Sequence, residues 1–210
     1  ELDNDDIYRN VVGSKDGNLI AVLFTNEEDK IHVYDFVKGE WKSFKLYNPT
    51  YSNSVTGDVR YADQMDFDHS GEYLMYDAFN EISKSTGGEY TYWDIGFLHV
   101  FDKSKNTFGT GKIEKLIASL PENTSVGNPV FSKNSLDVVA FDYIESGLCS
   151  ADYALLGANI ERSEINVIAD NRERLAYSSY SVKDDKILFD SKNASQSQCI
   201  SVKPLSASKI

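Results

Sequence analysis

Phe131-Ser132-Lys133-Asn134-Ser135-Leu136-Asp137-Val138-Val139-Ala140-Phe141-Asp142 is the stretch that decides the fold. An aromatic residue leads into a short polar turn, and an apolar, β-branched run leads out of it. Asn and Ser tolerate the positive φ of tight hairpins, whereas Val and Phe suit a pleated, half-buried surface. The stretch reads as a strand end, a hairpin turn and a new strand.

The same pattern occurs three more times. Val12-Gly13-Ser14-Lys15-Asp16-Gly17-Asn18-Leu19-Ile20-Ala21-Val22 and Phe67-Asp68-His69-Ser70-Gly71-Glu72-Tyr73-Leu74-Met75-Tyr76-Asp77 precede it. Tyr180-Ser181-Val182-Lys183-Asp184-Asp185-Lys186-Ile187-Leu188-Phe189-Asp190 follows it. Superposing Gly17, Gly71, Ser135 and Asp185 gives steps of 54, 64 and 50 residues. A second echo matches Ile31-His32-Val33-Tyr34-Asp35 with Leu98-His99-Val100-Phe101-Asp102. It puts His32 and His99 at one place in the repeat. Further candidate strands follow at 41–47, 112–117, 153–160, 164–169 and 199–202.

The units are expected at approximately 7–49, 60–120, 125–171 and 175–210, all within one 1–210 segment. The first three supply about four strands each and the last about three. Helical period is confined to Ile113, Leu116, Ile117 and Leu120, and the repeat favours a strand there. Short strands at a period near 50 predict an all-β fold, a β-propeller with about four recognisable four-stranded blades. Propellers close with ~4–8 blades. The chain is therefore expected to be part of a larger propeller, with further blades of the same or another chain covering its edges. Phe67, Phe131 and Tyr180 align as wedges between blades.

The pattern from Phe131 to Asp142 resembles the "fSpDGkkiaFds" signature of TolB-type, WD-repeat-like β-propellers. Asn128-Pro129-Val130 is similar to the usual blade entry, and Trp93-Asp94-Ile95 leading to Val100-Phe101-Asp102 resembles the "dIyvmD" strand. The likeness spans roughly residues 8 to 205. The proline of the signature is Lys15, His69, Lys133 and Lys183 here, and the last turn has Asp185 for Gly. The resemblance implies a scaffold for protein or ligand contacts, periplasmic, cell-surface or secreted. It implies no catalytic residue.

Composition narrows the classes further. The 210 residues carry 21 basic and 33 acidic side chains, a net charge of −12. Nucleic-acid and anionic-lipid binding draw on Lys and Arg, so neither partner is expected. The longest apolar run, Leu19-Ile20-Ala21-Val22-Leu23-Phe24, is far short of the ~20 residues of a membrane-spanning helix. Two cysteines, Cys149 and Cys199, make one bridge or none.

Chemistry-bearing motifs are few. G-x-S-x-G, G-x-x-x-x-G-K-[ST], H-E-x-x-H and C-x-x-C are all missing. Asp66-Phe67-Asp68-His69-Ser70-Gly71, with Asp77 beyond, has part of a calcium loop's oxygen spacing. It lacks the bidentate Glu and coincides with a repeat turn, so no metal or cofactor is expected. Asp63, Asp66 and Asp142 are the acids a propeller glycosidase could aim at its axis. The distinctive feature is the insertion at 80–92, with Gly87-Gly88 as its turn, running into Trp93. In a blade it joins the second and third strands, on the face where propellers bind. The insertion at 145–152 belongs to the same face. Tyr90, Tyr92, Trp93 and Asp94 are the candidate binding residues for a protein or small ligand. Alternatively the insertion is a hairpin extension with its aromatics packed.

The function expected is non-enzymatic recognition or scaffolding. The alternative is an accessory propeller of a hydrolase, a peptidase or glycosidase whose catalytic residues lie elsewhere.

Overall fold

Hairpin turns place the strands. The computed structural model describes residues 7–51, 57–83, 89–147, 151–191 and 199–204. Ser14, Asp68, Ser132 and Ser181 occupy one position of the repeat, and each puts a side-chain oxygen into its own turn. They accept the N–H of Leu19 (3.0 Å), Tyr73 (3.0 Å), Ser135 (3.0 Å) and Lys186 (3.1 Å) respectively. Their own N–H groups bond the carbonyls of Leu19, Tyr73, Val138 and Lys186. Such bonds offer the backbone an alternative to running on as a strand.

Gly17 and Gly71 take φ of +75° and +73° at the fourth position of these turns. In the last repeat the residue there is Asp184, at φ +56°. Its N–H bonds Ser181 O as that of Gly17 bonds Ser14 O. The register expected on Asp185 is therefore one residue late. Two adjacent aspartates look alike in sequence, and only the left-handed conformation separates them.

The chain divides into two compact units at Ser119 and Leu120. The first unit holds two blades. β1 (Tyr8–Gly13), β2 (Leu19–Phe24), β3 (Lys30–Asp35) and β4 (Glu40–Lys45) form one four-stranded antiparallel sheet in chain order. In the other, β5 (Asp58–Phe67), β6 (Tyr73–Ser83) and β7 (Glu89–His99) pair in order. A small hairpin of β8 (Phe101–Asp102) and β9 (Thr107–Phe108) intervenes before β10 (Ile113–Lys115) returns to pair with β7. The 113–120 segment thus opens as a strand, as the repeat required. Leu19, Ala21, Ile31 and Val33 share one apolar core with Met65, Phe67, Leu74, Tyr76 and Leu98. At ~25 cal/mol per Å² of apolar surface, burying such side chains is what holds two sheets face to face.

The inserted hairpin corrects one expectation. His32 faces Val22, but His99 faces Tyr73, the counterpart of Leu19. The two histidines therefore stand three positions apart in the repeat. The similar sequence around His99 runs out of β7 into β8 instead of along the middle of a strand.

The second unit has β11 (Thr124–Phe131), β12 (Val138–Ser146), β13 (Ala151–Asn159) and β14 (Glu164–Arg172) in one sheet. β15 (Ser179–Tyr180), β16 (Lys186–Ser191) and β17 (Cys199–Pro204) form a three-stranded sheet. Val138, Ala140, Leu155 and Ile168 pack with Tyr180, Ile187 and Phe189. Phe67, Phe131 and Tyr180 are all buried. Asp142, 1% exposed, accepts the N–H groups of Ala176 (2.7 Å) and Tyr177 (3.2 Å) and the Asn128 amide (3.0 Å). It pins β12 to the segment entering β15.

Candidate functional site

The 80–92 insertion extends a ladder. β6 and β7 pair without a break from Tyr73↔His99 to Ser83↔Glu89. Residues 84–88, with Gly87 and Gly88, lie outside the described residues. β12 and β13 likewise pair out to Ser146↔Ala151. Cys149 lies outside the described residues, and of Cys199 only its place in β17 is described.

Alternation on β7 sends its side chains to two faces. Tyr90, Tyr92 and Asp94 share one. Tyr90 stacks on Tyr92 with ring centroids 5.9 Å apart. Tyr92 is buried, and its hydroxyl accepts the Gly57 N–H at 3.3 Å. Asp94, 6% exposed, accepts the Asn80 amide (3.0 Å) and the Lys115 ammonium (2.8 Å). The Lys115 side chain is itself only 4% exposed. Burial pulls its ammonium below the ordinary lysine range, and Asp94 opposes that shift. Asn48 extends the network to Asn80 Oδ1 at 2.8 Å. Beside it lies Tyr76, whose hydroxyl is pushed well above the ordinary range by burial, reinforced by Asp94. Gly96 leaves room for that ring: a Cβ there would stand 2.7 Å from Tyr76.

Tyr92 and Asp94 are therefore committed to partners inside the first unit. The pairing that holds Asp94, with Lys115, spans 21 residues and joins β7 to β10. No sequence motif announces it.

The opposite face carries a cross-strand row. Tyr61, Phe79 and Trp93 stand side by side on β5, β6 and β7. Their ring centroids are 5.5 Å (Tyr61–Phe79) and 5.3 Å (Phe79–Trp93) apart. All three are half-buried. Rows of this kind stabilise a sheet and leave ring edges for contact. A groove of about 460 Å³ opens against Val59, Arg60, Tyr61 and Phe79, facing Glu27, Glu28 and Asp29 of the β2–β3 connection. Tyr61, Phe79 and the acidic loop were not among the residues read as binding candidates. The repeat itself carries the signal, since 25–29 is the counterpart of the β6–β7 extension.

Among the described residues no group of three or more His, Cys, Asp or Glu is placed to hold a metal ion. Asp68 closes its own turn, and Asp77 accepts the Gln64 N–H at 2.7 Å. Asp63 pairs with Arg9, and Asp142 is spent on backbone donors in the other unit. Ser43, His32 and Glu28 stand in a row: Ser43 Oγ is 2.8 Å from His32 Nδ1, and His32 Nε2 is 2.7 Å from Glu28 Oε1. His32 and Ser43 are directly opposed on β3 and β4, so a cross-strand pair and an i,i+4 contact account for it.

No family model matches the chain, and no curated protein matches its sequence. Solved structures do match its fold. TolB from Acinetobacter baumannii superposes with a TM-score of 0.53 at 13% identity, over 92% of this chain and 40% of that one. The acylaminoacyl peptidase of Pyrococcus horikoshii gives 0.54 at 13% identity, over 94% and 31%. The tricorn protease gives 0.51 at 13% identity, over 93% and 21%. The likeness shows β-propeller blades, and this chain spans well under half of each of those proteins.

Proposed function

We propose that the chain is a set of TolB-type propeller blades acting in recognition of a protein or ligand, without chemistry of its own. The observation that carries this reading is the half-buried row Tyr61–Phe79–Trp93 beside an open groove, at the end where the β2–β3 and β6–β7 connections emerge. Large rings give contact area at low entropic cost. With Tyr92 and Asp94 engaged internally, contact at β7 falls to Tyr90 and Trp93. An extracytoplasmic place, periplasmic, cell-surface or secreted, goes with this reading, as do further blades from the same or another chain.

A second reading is favoured by the acylaminoacyl peptidase and tricorn likenesses. Here the blades would be the accessory domain of a hydrolase whose catalytic residues lie elsewhere. The parent reading frame separates the two, since an attached catalytic domain supports the second. The test of recognition is quantitative mass spectrometry of proteins retained by the wild-type chain and by Tyr90→Ser/Trp93→Leu. A protein held by the first and lost by the second is expected. Identical retention profiles would contradict the reading.

A further inference from the structure

We propose that the groove between the β2–β3 connection and the β5–β6 wall takes the arginine or lysine side chains of an extended, basic polypeptide. This rests on the recognition reading and gives it a partner chemistry. The volume, about 460 Å³, falls within the ~300–1,000 Å³ of ordinary binding sites. One wall is aromatic, Tyr61 and Phe79, and the facing lip is three consecutive acids, Glu27, Glu28 and Asp29.

The protein already places one guanidinium in this setting. Arg9 lies 4.6 Å over the Tyr61 ring and bonds Glu27 at 3.1 Å and Asp63 at 3.3 Å. A ring face plus flanking carboxylates is the environment a weakly hydrated cation prefers. Arg60, across the groove, bonds Glu81 at 2.8 Å and also feels Asp58 and Glu89. Glu27 and Asp29 pair with Arg9 and Lys45 through exposed contacts, while Glu28 pairs with Lys30 and, at 2.7 Å, with the part-buried His32. Exposed pairs hold weakly and exchange readily. Seven carboxylates thus stand against four cations around the groove, leaving unmatched negative charge for a partner. The overall charge of −12 draws the same partner in and repels an acidic one.

The test uses the whole chain and fluorescein-labelled peptides of alternating Arg–Ser and Glu–Ser, followed by anisotropy at low and physiological salt. The Arg–Ser peptide is expected to bind, more weakly as salt rises, and the Glu–Ser peptide not to bind. Glu27→Gln/Glu28→Gln/Asp29→Asn should weaken binding at least about fivefold, and Tyr61→Leu about threefold, as lost exposed ion pairs and a lost ring face predict. Glu40→Gln/Glu114→Gln/Glu161→Gln, three exposed acids outside the groove lining, removes the same three charges and should leave affinity nearly unchanged. The proposal is overturned if the Arg–Ser peptide does not bind, or if the charge-matched control costs as much as the lip variant. Should Tyr61→Leu unfold the chain, the lip variant decides alone. A protein still lost on Tyr90→Ser/Trp93→Leu, with no effect at the lip, would refute the groove and leave recognition standing.

Discussion

Arg9 ion-pairs at 3.3 Å with Asp63, its own counterpart one repeat later, 54 residues on. Asn10 bonds Gln64 at 3.0 Å over the same interval. The first strands of the two blades therefore lie side by side with equivalent positions facing, as stacked repeats require. Asp63 is half exposed, so the pair contributes little on its own. A double-mutant cycle of Arg9→Met and Asp63→Asn should give a coupling below about 1 kcal/mol. Arg9→Met alone should cost more than Asp63→Asn, because it also uncovers the Tyr61 ring. Urea denaturation measures both.

Gly71→Val should destabilise the second blade. The residue sits at φ +73° with Ser14 Cβ 3.4 Å from where its own Cβ would be. A left-handed conformation costs an L-residue about 1–2 kcal/mol, more with a β-branch. In a chain of this size that lowers Tm by about 2–8 °C. Gly71→Asn should cost less, as Asp184 already shows at the equivalent turn. Equal melting temperatures for both variants and wild type would contradict the assigned turn.

The Asp94–Lys115 pair is buried on both sides. Removing one partner strands the other charge, at about 3–5 kcal/mol, whereas removing both leaves no orphan. Asp94→Leu and Lys115→Met should each be more destabilising than the double variant. Additive losses would show that the pair is not coupled.

Burial raises the hydroxyls of Tyr76 and Tyr180 above their ordinary range. An unfolded tyrosine ionises near pH ~10. Above that pH the folded chain holds protons that the unfolded chain has lost, so stability falls as pH rises. The stabilising contribution is complete below ~10 and disappears as pH climbs through the raised values. Tyrosinate absorbance should show a fraction that ionises only with cooperative unfolding. Smooth ionisation of all tyrosines before unfolding would contradict the burial.

Much of the fold was legible in the residues that make turns. Ser14, Asp68, Ser132 and Ser181, each followed by Gly, Ser or Asp, mark the hairpins because side-chain capping and positive φ restrict the residues allowed there. The fourth register slipped by one because Asp184 and Asp185 offer the same chemistry. His99 was misaligned because the β8–β9 hairpin follows it, and an insertion leaves no periodic trace. At the candidate site, alternation along β7 separates Trp93 from Tyr92 and Asp94. That Asp94 is spoken for depended on Lys115, brought alongside Gly96 only by the return of β10. Such long-range pairings have no local signature.

The recognition reading is tested most directly by the dissociation constant of the co-purifying partner for wild-type chain and for Tyr90→Ser/Trp93→Leu, measured together with Tm. The account predicts an affinity loss of about tenfold or more, as truncated aromatic contacts give, with Tm lowered by only a few degrees, about what a loss near 1 kcal/mol produces. Unchanged affinity, or a collapse of Tm that accounts for the whole loss, would contradict it.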